Sequence, residues 1–264
     1  MKKGLIVYNK VDQCKNQWFI ERCLKELNDD SFSLLYKEES ETLSYVKENK
    51  IDFVIFRARN YHLVLELESL GIRVFNNSQT NRIANDKYLS FFFCKANDLP
   101  CLETYKDSKC MNEPSFVMKS VDGHGGNNVY LVENEEQARK ILEETHKQYI
   151  YQRFIADAID VRLYVLNKKV VGAVKRENKN NFRSNYSLGG TATKYEPSQE
   201  MVEIAEKAAV LLDADYIGVD FIIDDNTCVV NEIEDPVGSR MLYATSNIDI
   251  VSLFIQHIKN KLID

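Results

Sequence analysis

The N-terminal third of the chain alternates short apolar runs with amphipathic stretches. The runs at 5–8, 32–36 and 53–56 have the length of strands, and 74–75 starts a fourth. Apolar residues at 20, 24 and 27 have helical spacing, and 62–70 is also predicted to be helical. Short continuous apolar runs separated by helices are typical of parallel strands that are covered on both faces. We therefore predict a small parallel sheet of three or four strands. It lacks the G-x-G-x-x-G turn of dinucleotide-binding domains.

A polar run at 76–81 marks the clearest boundary, and further strands and helices follow it. The predicted elements are a helix at 86–97, a strand from 115, a glycine-rich turn and a second strand, a charged helix at 135–146, strands at 149–151, 161–166 and 170–174, a helix at 199–212, a hairpin at 218–238 and a helix at 248–262. They divide the chain into residues 1–80, 81–114, 115–154 and 155–264.

Composition narrows the range of partners. The 264 residues include 34 Lys and Arg against 40 Asp and Glu, a net charge of −6 that argues against nucleic acid and acidic membranes as partners. No apolar run approaches the length that spans a bilayer, and the first run is too short for a signal peptide.

The six cysteines have no metal-binding or redox spacing, so we expect reduced thiols in a cytoplasmic protein.

The hairpin gathers three carboxylates. If Asp225-Asn226-Thr227 forms a three-residue turn, Asp220 pairs opposite Glu232, and Glu234 lies on the same face. Like charges this close repel unless a cation lies among them, and Mg²⁺ held by carboxylates commonly accompanies nucleotide phosphates. The alternative is an ordinary solvated face of an alternating strand.

Two lysines and a glycine turn are candidate phosphate binders. Lys119 ends a predicted strand and precedes Gly123, Gly125 and Gly126, which would let the backbone approach a phosphate closely. The alternative is an ordinary hairpin turn, and the G-K-[ST] ending of a Walker A loop is absent. Lys87 begins a predicted helix and could also bind a phosphate; the alternative is a lysine that is simply exposed to solvent.

The junction at 152–155 and the loop at 176–190 could complete a nucleotide site. Junctions of this kind often bind an adenine, and the alternative is a simple linker between domains. Asp160, which follows the junction, could accept a hydrogen bond from a ribose hydroxyl or could cap a turn. Arg176 and Arg183 can bind phosphate or carboxylate with paired donors, and Asn185 can donate an amide or ligate a metal. Loops of this composition are also commonly mobile surface segments.

Taken in order, these motifs resemble the ATP-grasp superfamily and, within it, the RimK-like glutamate ligases. The matching stretches are NDKYLS, VMKSVDGHGGNNVYLV, YIYQRFI, DVRLYVLNKKVVGAVKR, NFRSNYSLGG and the hairpin GVDFIIDDNTCVVNEIEDPVG. The resemblance implies a small α/β domain with a parallel sheet, followed by a two-lobed ATP-grasp fold of α+β type. It also implies that ATP lies between a lid formed by 115–154 and the C-terminal unit.

The resemblance implies a role for each matched position. The implied ATP contacts are Lys87, Lys119, Gly123, Gly125, Gly126, Gln152, Arg153, Phe154, Ile155, Asp160 and Arg176. The implied metal ligands are Asp220, Glu232 and Glu234, holding Mg²⁺ with Mn²⁺ as a substitute. Arg176 and Arg183 would act in catalysis, and Arg183, Asn185 and Arg240 would contact the substrate. Two positions depart from the family pattern: Glu234 stands where an Asn is usual, and Arg153 where a Glu is usual.

The activity implied is ATP-dependent ligation of a carboxylate to an amine through an acylphosphate, with ADP and phosphate as products. The partners would be ATP and an amino-acid or peptide substrate, and the added group could be glutamate or another amino acid. A homo-oligomer stays open. Two alternatives with the same fold are a non-catalytic module that binds ATP or a peptide, and a small-molecule kinase. The segment after Pro236, VGSRMLY, also strays from the family's usual sequence. This segment and the departure at Arg153 favour the non-catalytic module.

Overall fold

The computed structural model describes residues 1–178, 190–225 and 227–263. Its N-terminal part alternates strands and helices: β1 (Lys2–Tyr8), α1 (Lys10–Lys15), α2 (Gln17–Glu26), β2 (Phe32–Glu38), α3 (Glu39–Glu48), β3 (Phe53–Phe56), α4 (Tyr61–Ser69) and β4 (Arg73–Phe75). The strands form a four-stranded parallel sheet in the order β2-β1-β3-β4, which confirms the predicted parallel sheet. Gly71 ends α4 with a φ of 76°, a left-handed conformation that favours glycine.

The polar run after β4 contains a helix, α5 (Ser78–Ala84), which the sequence pattern did not predict. Asn77 caps it, and Asn76 and Asn81 are buried because both donate to the Asp235 carboxylate. The next helix, α6 (Lys87–Ala96), matches the predicted one and begins at Asp86, whose carboxylate accepts from two backbone N–H groups. The polar run thus contacts the residue that follows the hairpin, Asp235.

A second sheet is antiparallel. It contains β5 (Thr104–Tyr105), β6 (Phe116–Ser120), β7 (Val129–Val132) and β8 (Tyr149–Arg153) in the order β5-β8-β6-β7, with a 3₁₀ turn at Ser108–Cys110. The helix α7 (Glu135–Thr145) covers its inner face through Ala138 and Ile141. The two-residue strand β5 was not predicted, because it is too short to show any periodicity.

A third sheet, also antiparallel, forms the C-terminal part. Its strands are β9 (Ile159–Leu166), β10 (Lys169–Glu177), β11 (Thr191–Lys194), β12 (Tyr216–Asp224) and β13 (Thr227–Glu234), in the order β11-β10-β9-β12-β13. The apolar stripe of α8 (Gln199–Leu211) packs on one face of this sheet. α9 (Arg240–Thr245) and α10 (Ile250–Ile263) share a core with the opposite face and the N-terminal sheet. None of the helices in the described residues is long and apolar enough to cross a membrane.

The hairpin β12–β13 differs from its prediction in one respect. Asp220 does pair with Glu232, but Thr227 is a strand residue that pairs with Asp224, so the predicted three-residue turn is wrong. Asn226, the middle residue of that predicted turn, lies outside the described residues. The register shifts between Asp220 and Phe221, where Asn231 is the extra residue on β13. A bulge therefore brings Asp220 and Glu232 opposite one another.

Candidate active site

Two adjoining cavities, of about 580 and 600 Å³, lie between the sheets. The first is bounded by the second and third sheets, and the second cavity reaches the carboxyl ends of β1 and β3 in the N-terminal sheet. Glu232, Glu234, Arg176, Lys87 and the glycine turn line both cavities. A molecule in one cavity would therefore meet a molecule in the other beside the hairpin carboxylates.

The hairpin brings the three predicted acids together. Asp220, Glu232 and Glu234 each offer an oxygen within 4.8 Å of the others. Hard oxygen donors in a group of this size are the ligands that Mg²⁺ prefers. The donor set therefore fits a divalent cation, with the alternation of β13 placing Glu232 and Glu234 on one face.

Two buried arginines already pair with these acids. Arg162 lies beside Asp220 in the β9–β12 register and donates to both of its oxygens from Nε and Nη2, each at 2.7 Å. Its Nη2 also lies 2.6 Å from Oε1 of Glu234. Arg176 donates to Oδ2 of Asp220 at 2.8 Å and binds Asp160 as well. Asp160 thus lies in a strand and faces Arg176, which excludes the alternative that it only caps a turn.

These arginines keep Asp220 ionised although it is buried. Burial raises the pKa of Asp220, but Arg162 and Arg176 outweigh burial and lower the pKa to about 2. Burial raises the pKa of Glu234 against the opposing effect of Arg162. Burial likewise raises the pKa of Asp160 against Arg176. A cation bound among the three acids would favour the charged form of Glu234 against the effect of burial.

The two lysines approach the third acid. Nζ of Lys87 lies 3.6 Å and Nζ of Lys119 3.8 Å from Oε1 of Glu232, so neither makes a close hydrogen bond to it. Lys119 donates to Oδ1 of Asn231 at 2.9 Å, and Lys87 donates to the carbonyl of Gly123. Burial lowers the pKa of Lys119, and Lys87 adds to that effect. Two ammonium groups are thus held beside one carboxylate, which suits an additional anion such as a phosphate.

The glycine turn follows Lys119 in the chain, and Gly123 and Gly125 line both cavities. Gly125 and Gly126 have φ angles of 64° and 80°, in the left-handed region that favours glycine. A Cβ at Gly123 would lie 2.3 Å from Oγ of Ser120. The turn therefore depends on glycine at these positions, and the carbonyl of Gly123 anchors Lys87 to it.

The end of β8 and the junction that follows it line the first cavity. Gln152, Phe154 and Ile155 line it together with the apolar side chains of Leu102, Val117, Val129, Ile159 and Ile222. Arg153, one of the two departures from the family pattern, also lines this cavity, but it is exposed and lies 3.3 Å from Asp224 in a surface ion pair. An apolar slot with one buried amide at its end suits a planar base.

The second cavity is rich in cations. Arg59 pairs with Asp12 at 2.7 Å, and the buried Arg57 donates to the carbonyl of Val237 at 2.6 Å. Arg57 has no carboxylate within ion-pair distance among the described residues. Arg240 begins α9 at the rim, exposed, and no hydrogen bond or ion pair to another described residue involves it. The cavity therefore suits an anionic ligand.

Two residues of the site, Arg162 and Asn231, were not predicted from the sequence. Two predicted residues lie outside the part of the chain that the structure describes. Arg162 could have been suspected, because a lone arginine in an apolar strand needs a buried partner. Asn231 faces the site because of the bulge, which strand alternation does not reveal. The predicted Arg183 and Asn185 lie in 179–189, outside the described residues.

Comparison with known proteins finds a matching family model, similar sequences and a similar fold. A family model for the RimK-like ATP-grasp domain matches residues 101–258. The uncharacterized protein MG011 homolog of Mycoplasma pneumoniae is 28% identical, over 91% of this chain and 86% of that protein. A probable alpha-L-glutamate ligase of Xanthomonas euvesicatoria is 27% identical, with 91% and 86% covered. The fold is similar to that of D-alanine–D-alanine ligase from Bacillus anthracis complexed with ATP, with a TM-score of 0.75, 15% identity, and 100% and 97% covered.

Proposed function

Because the chain belongs to the RimK-like ATP-grasp family, we propose that it is an ATP-dependent ligase that joins a carboxylate to an amine. The observation that carries the proposal is the junction of the two cavities at Glu232 and Glu234. A nucleotide in the first cavity would present its terminal phosphate where a substrate in the second presents its carboxylate. Phosphoryl transfer between bound molecules requires this kind of positioning.

ATP would occupy the first cavity. Its base fits the apolar slot at 152–155, with Asp160 toward the ribose, and its phosphates would lie by Lys87, Lys119 and the glycine turn. Asp220, Glu232 and Glu234 would hold Mg²⁺, with Mn²⁺ as a substitute. The ion would neutralise phosphate charge and orient the phosphate oxygens.

The proposed reaction has two steps. A carboxylate oxygen of the substrate bonds to the γ-phosphorus as the bond to the β-γ bridging oxygen breaks, giving an acylphosphate and ADP. The substrate amine then bonds to the acyl carbon, phosphate leaves, and a proton from the amine passes to solvent. Lys119 and Arg176 would offset negative charge during the transfer. The glycine turn would exclude water, which would otherwise hydrolyse the acylphosphate.

The substrates would be an amino acid or peptide in the second cavity. Arg57, Arg59 and Arg240 there favour an acidic group, in keeping with glutamate as one substrate. Arg183 and Asn185 are proposed, on the resemblance to the family motif alone, as further substrate contacts, and Arg183 as a catalytic residue. We also propose a cytoplasmic location and the division into residues 1–80, 81–114, 115–154 and 155–264.

One observation favours a second candidate. Arg162 already pairs with Asp220 and Glu234, two of the three proposed metal ligands. A protein in which these contacts persist would bind nucleotide without turning it over. The two candidates differ in whether ADP appears when an acceptor is supplied.

The test is ADP release with Mg²⁺-ATP across amino acids, dipeptides and acidic or basic peptides, with mass spectrometry of the products. A ligase releases ADP only with a suitable substrate pair, and the product has the summed mass of the two less one water. Asp220→Asn with Glu232→Gln should abolish that release. Full turnover by this double variant, or nucleotide binding without any turnover across the panel, would overturn the proposal.

A further inference from the structure

The side-chain amide of Gln152 is buried with one half of its hydrogen bonding unused. Gln152 is 2% exposed and lines the first cavity. Its Nε2 donates to Oγ1 of Thr104 at 2.9 Å, whereas its Oε1 is buried without a hydrogen-bond partner among the described residues. A buried acceptor without a donor is costly, so this oxygen indicates a ligand that brings an N–H group.

Thr104 decides which end of the Gln152 amide is bonded within the protein and which end is left without a partner. Its hydroxyl has one proton, which it donates to the carbonyl of Leu102 at 2.9 Å. Oγ1 can therefore only accept from Gln152, and the amide must turn its NH₂ toward Thr104. Reversing the amide would take the hydroxyl proton away from Leu102 and leave that carbonyl without this bond. The relay from Leu102 through Thr104 to Gln152 thus fixes Oε1 as an acceptor.

The short strand β5 places Thr104 beside Gln152. Thr104 pairs directly with Gln152 in the β5–β8 register, and Thr104 is itself 4% exposed. Leu102 and Val117 line the apolar slot beside the amide. A planar base in the slot would therefore meet a preoriented acceptor at its edge.

We propose that Thr104 is a positioning residue that sets base selectivity by orienting the Gln152 amide. This inference rests on the proposed nucleotide site and assigns its selectivity to a residue outside the matched motifs. A 6-amino purine donates to Oε1 of Gln152. A 6-oxo purine presents an oxygen to the same acceptor, and the two oxygens repel.

The test compares Mg²⁺-ADP with Mg²⁺-IDP, whose bases differ in the 6-amino and 6-oxo groups, by titration calorimetry. The wild-type protein should bind ADP about ten- to a hundred-fold more tightly than IDP, the scale of one unpaired buried polar group. Thr104→Val, which can neither accept nor donate, frees the amide to turn and should lower that ratio at least about fivefold. Thr104→Ser keeps the hydroxyl and should retain the wild-type ratio.

A merely structural defect would weaken both nucleotides equally and leave the ratio unchanged, and that result would overturn the inference. Equal binding of ADP and IDP by the wild-type protein would also overturn the inference. If Thr104→Val does not fold, Thr104→Ala replaces it in the test. Absence of binding by either nucleotide would overturn the proposed function, and this inference with it.

Discussion

Two buried aspartates lie five residues apart around β12 and differ in their surroundings. Asp215, just before the strand, accepts two bonds from Arg73 at 2.9 Å and lies 2.7 Å from Nε2 of His257. Asp220, on the strand, accepts two bonds from Arg162 at 2.7 Å. Both are 3% exposed. By burial and arginine pairing alone, they would be judged equivalent.

They differ in what lies beyond their arginines. Asp215 joins β4, β12 and α10, and it is not among the described residues that line the two cavities. Asp220 has two further carboxylates within 4.8 Å and lines the first cavity. A buried acid with a complete partner set holds elements together, whereas a buried acid among other acids at a cavity can hold a ligand.

The largest effect expected is on stability, at Asp215. Asp215→Asn leaves Arg73 and His257 without their anion, so the free energy of unfolding should fall by about 3 kcal/mol. Urea unfolding measures this, and Mg²⁺-ADP affinity should be retained by the folded variant. The matched control is Asp213→Asn, in an exposed pair with Lys168, where the loss should stay below about 1 kcal/mol. An equal loss in the two variants would contradict the structural role given to Asp215.

At the hairpin, a substitution should affect turnover strongly and stability little. Glu232 is contacted only loosely by its two lysines, so Glu232→Gln should change the free energy of unfolding by less than about 1 kcal/mol. Substrate-dependent ADP release should fall at least about a hundredfold, as when one group that stabilises transferring charge is removed. The exposed Glu136→Gln on α7 is the control for both measurements. Unchanged turnover at saturating Mg²⁺ would remove Glu232 from the site.

A smaller effect is expected at the rim of the second cavity. Arg240 has no partner among the described residues, so Arg240→Ala should cost little stability. It should raise the KM of an acidic substrate about tenfold, the cost of one charge-assisted hydrogen bond, and leave the KM of ATP unchanged. Steady-state kinetics with each substrate varied in turn separates the two. A rise in the KM of ATP instead would place Arg240 in the nucleotide site.

The smallest effect expected depends on pH, at Asp12. Burial raises the pKa of Asp12, but Asn9 and Arg59 outweigh burial, and the net pKa is lowered. An acid with a lowered folded-state pKa contributes stability above its ordinary pKa and loses it as the pH falls through the lowered value. Wild-type stability should therefore fall more than that of Asp12→Asn between pH 5 and 3, by less than about 1 kcal/mol. Urea unfolding at the two pH values measures the difference, and equal slopes would contradict the pairing.

Local chemistry made much of this structure predictable. The parallel sheet followed from continuous apolar runs, and α6 began at Asp86, as expected for a capping carboxylate. The shared face of Glu232 and Glu234 followed from strand alternation. Asp220 lies opposite Glu232, as predicted, because the bulge at Asn231 compensates for a turn one residue shorter than the predicted one. Each of these features depends on residues close together in the sequence.

The remainder depends on long-range register. Arg162 meets Asp220 only because β9 pairs with β12 in one particular alignment, and no local pattern specifies that alignment. Thr104 meets Gln152 through a two-residue strand that has no periodicity of its own. Asn76 and Asn81 looked like a polar boundary, yet they bind a carboxylate far along the chain.

The central claim is that a carboxylate is activated by phosphoryl transfer at the junction of the two cavities. Its most direct test uses a substrate from the turnover panel labelled with ¹⁸O in its reacting carboxylate. Formation of an acylphosphate, followed by amide formation, transfers one labelled oxygen to each phosphate released, which mass spectrometry of the phosphate detects. We predict that transfer in the wild-type protein with Mg²⁺-ATP. ADP release with unlabelled phosphate would contradict an acylphosphate and the ligase mechanism that depends on it.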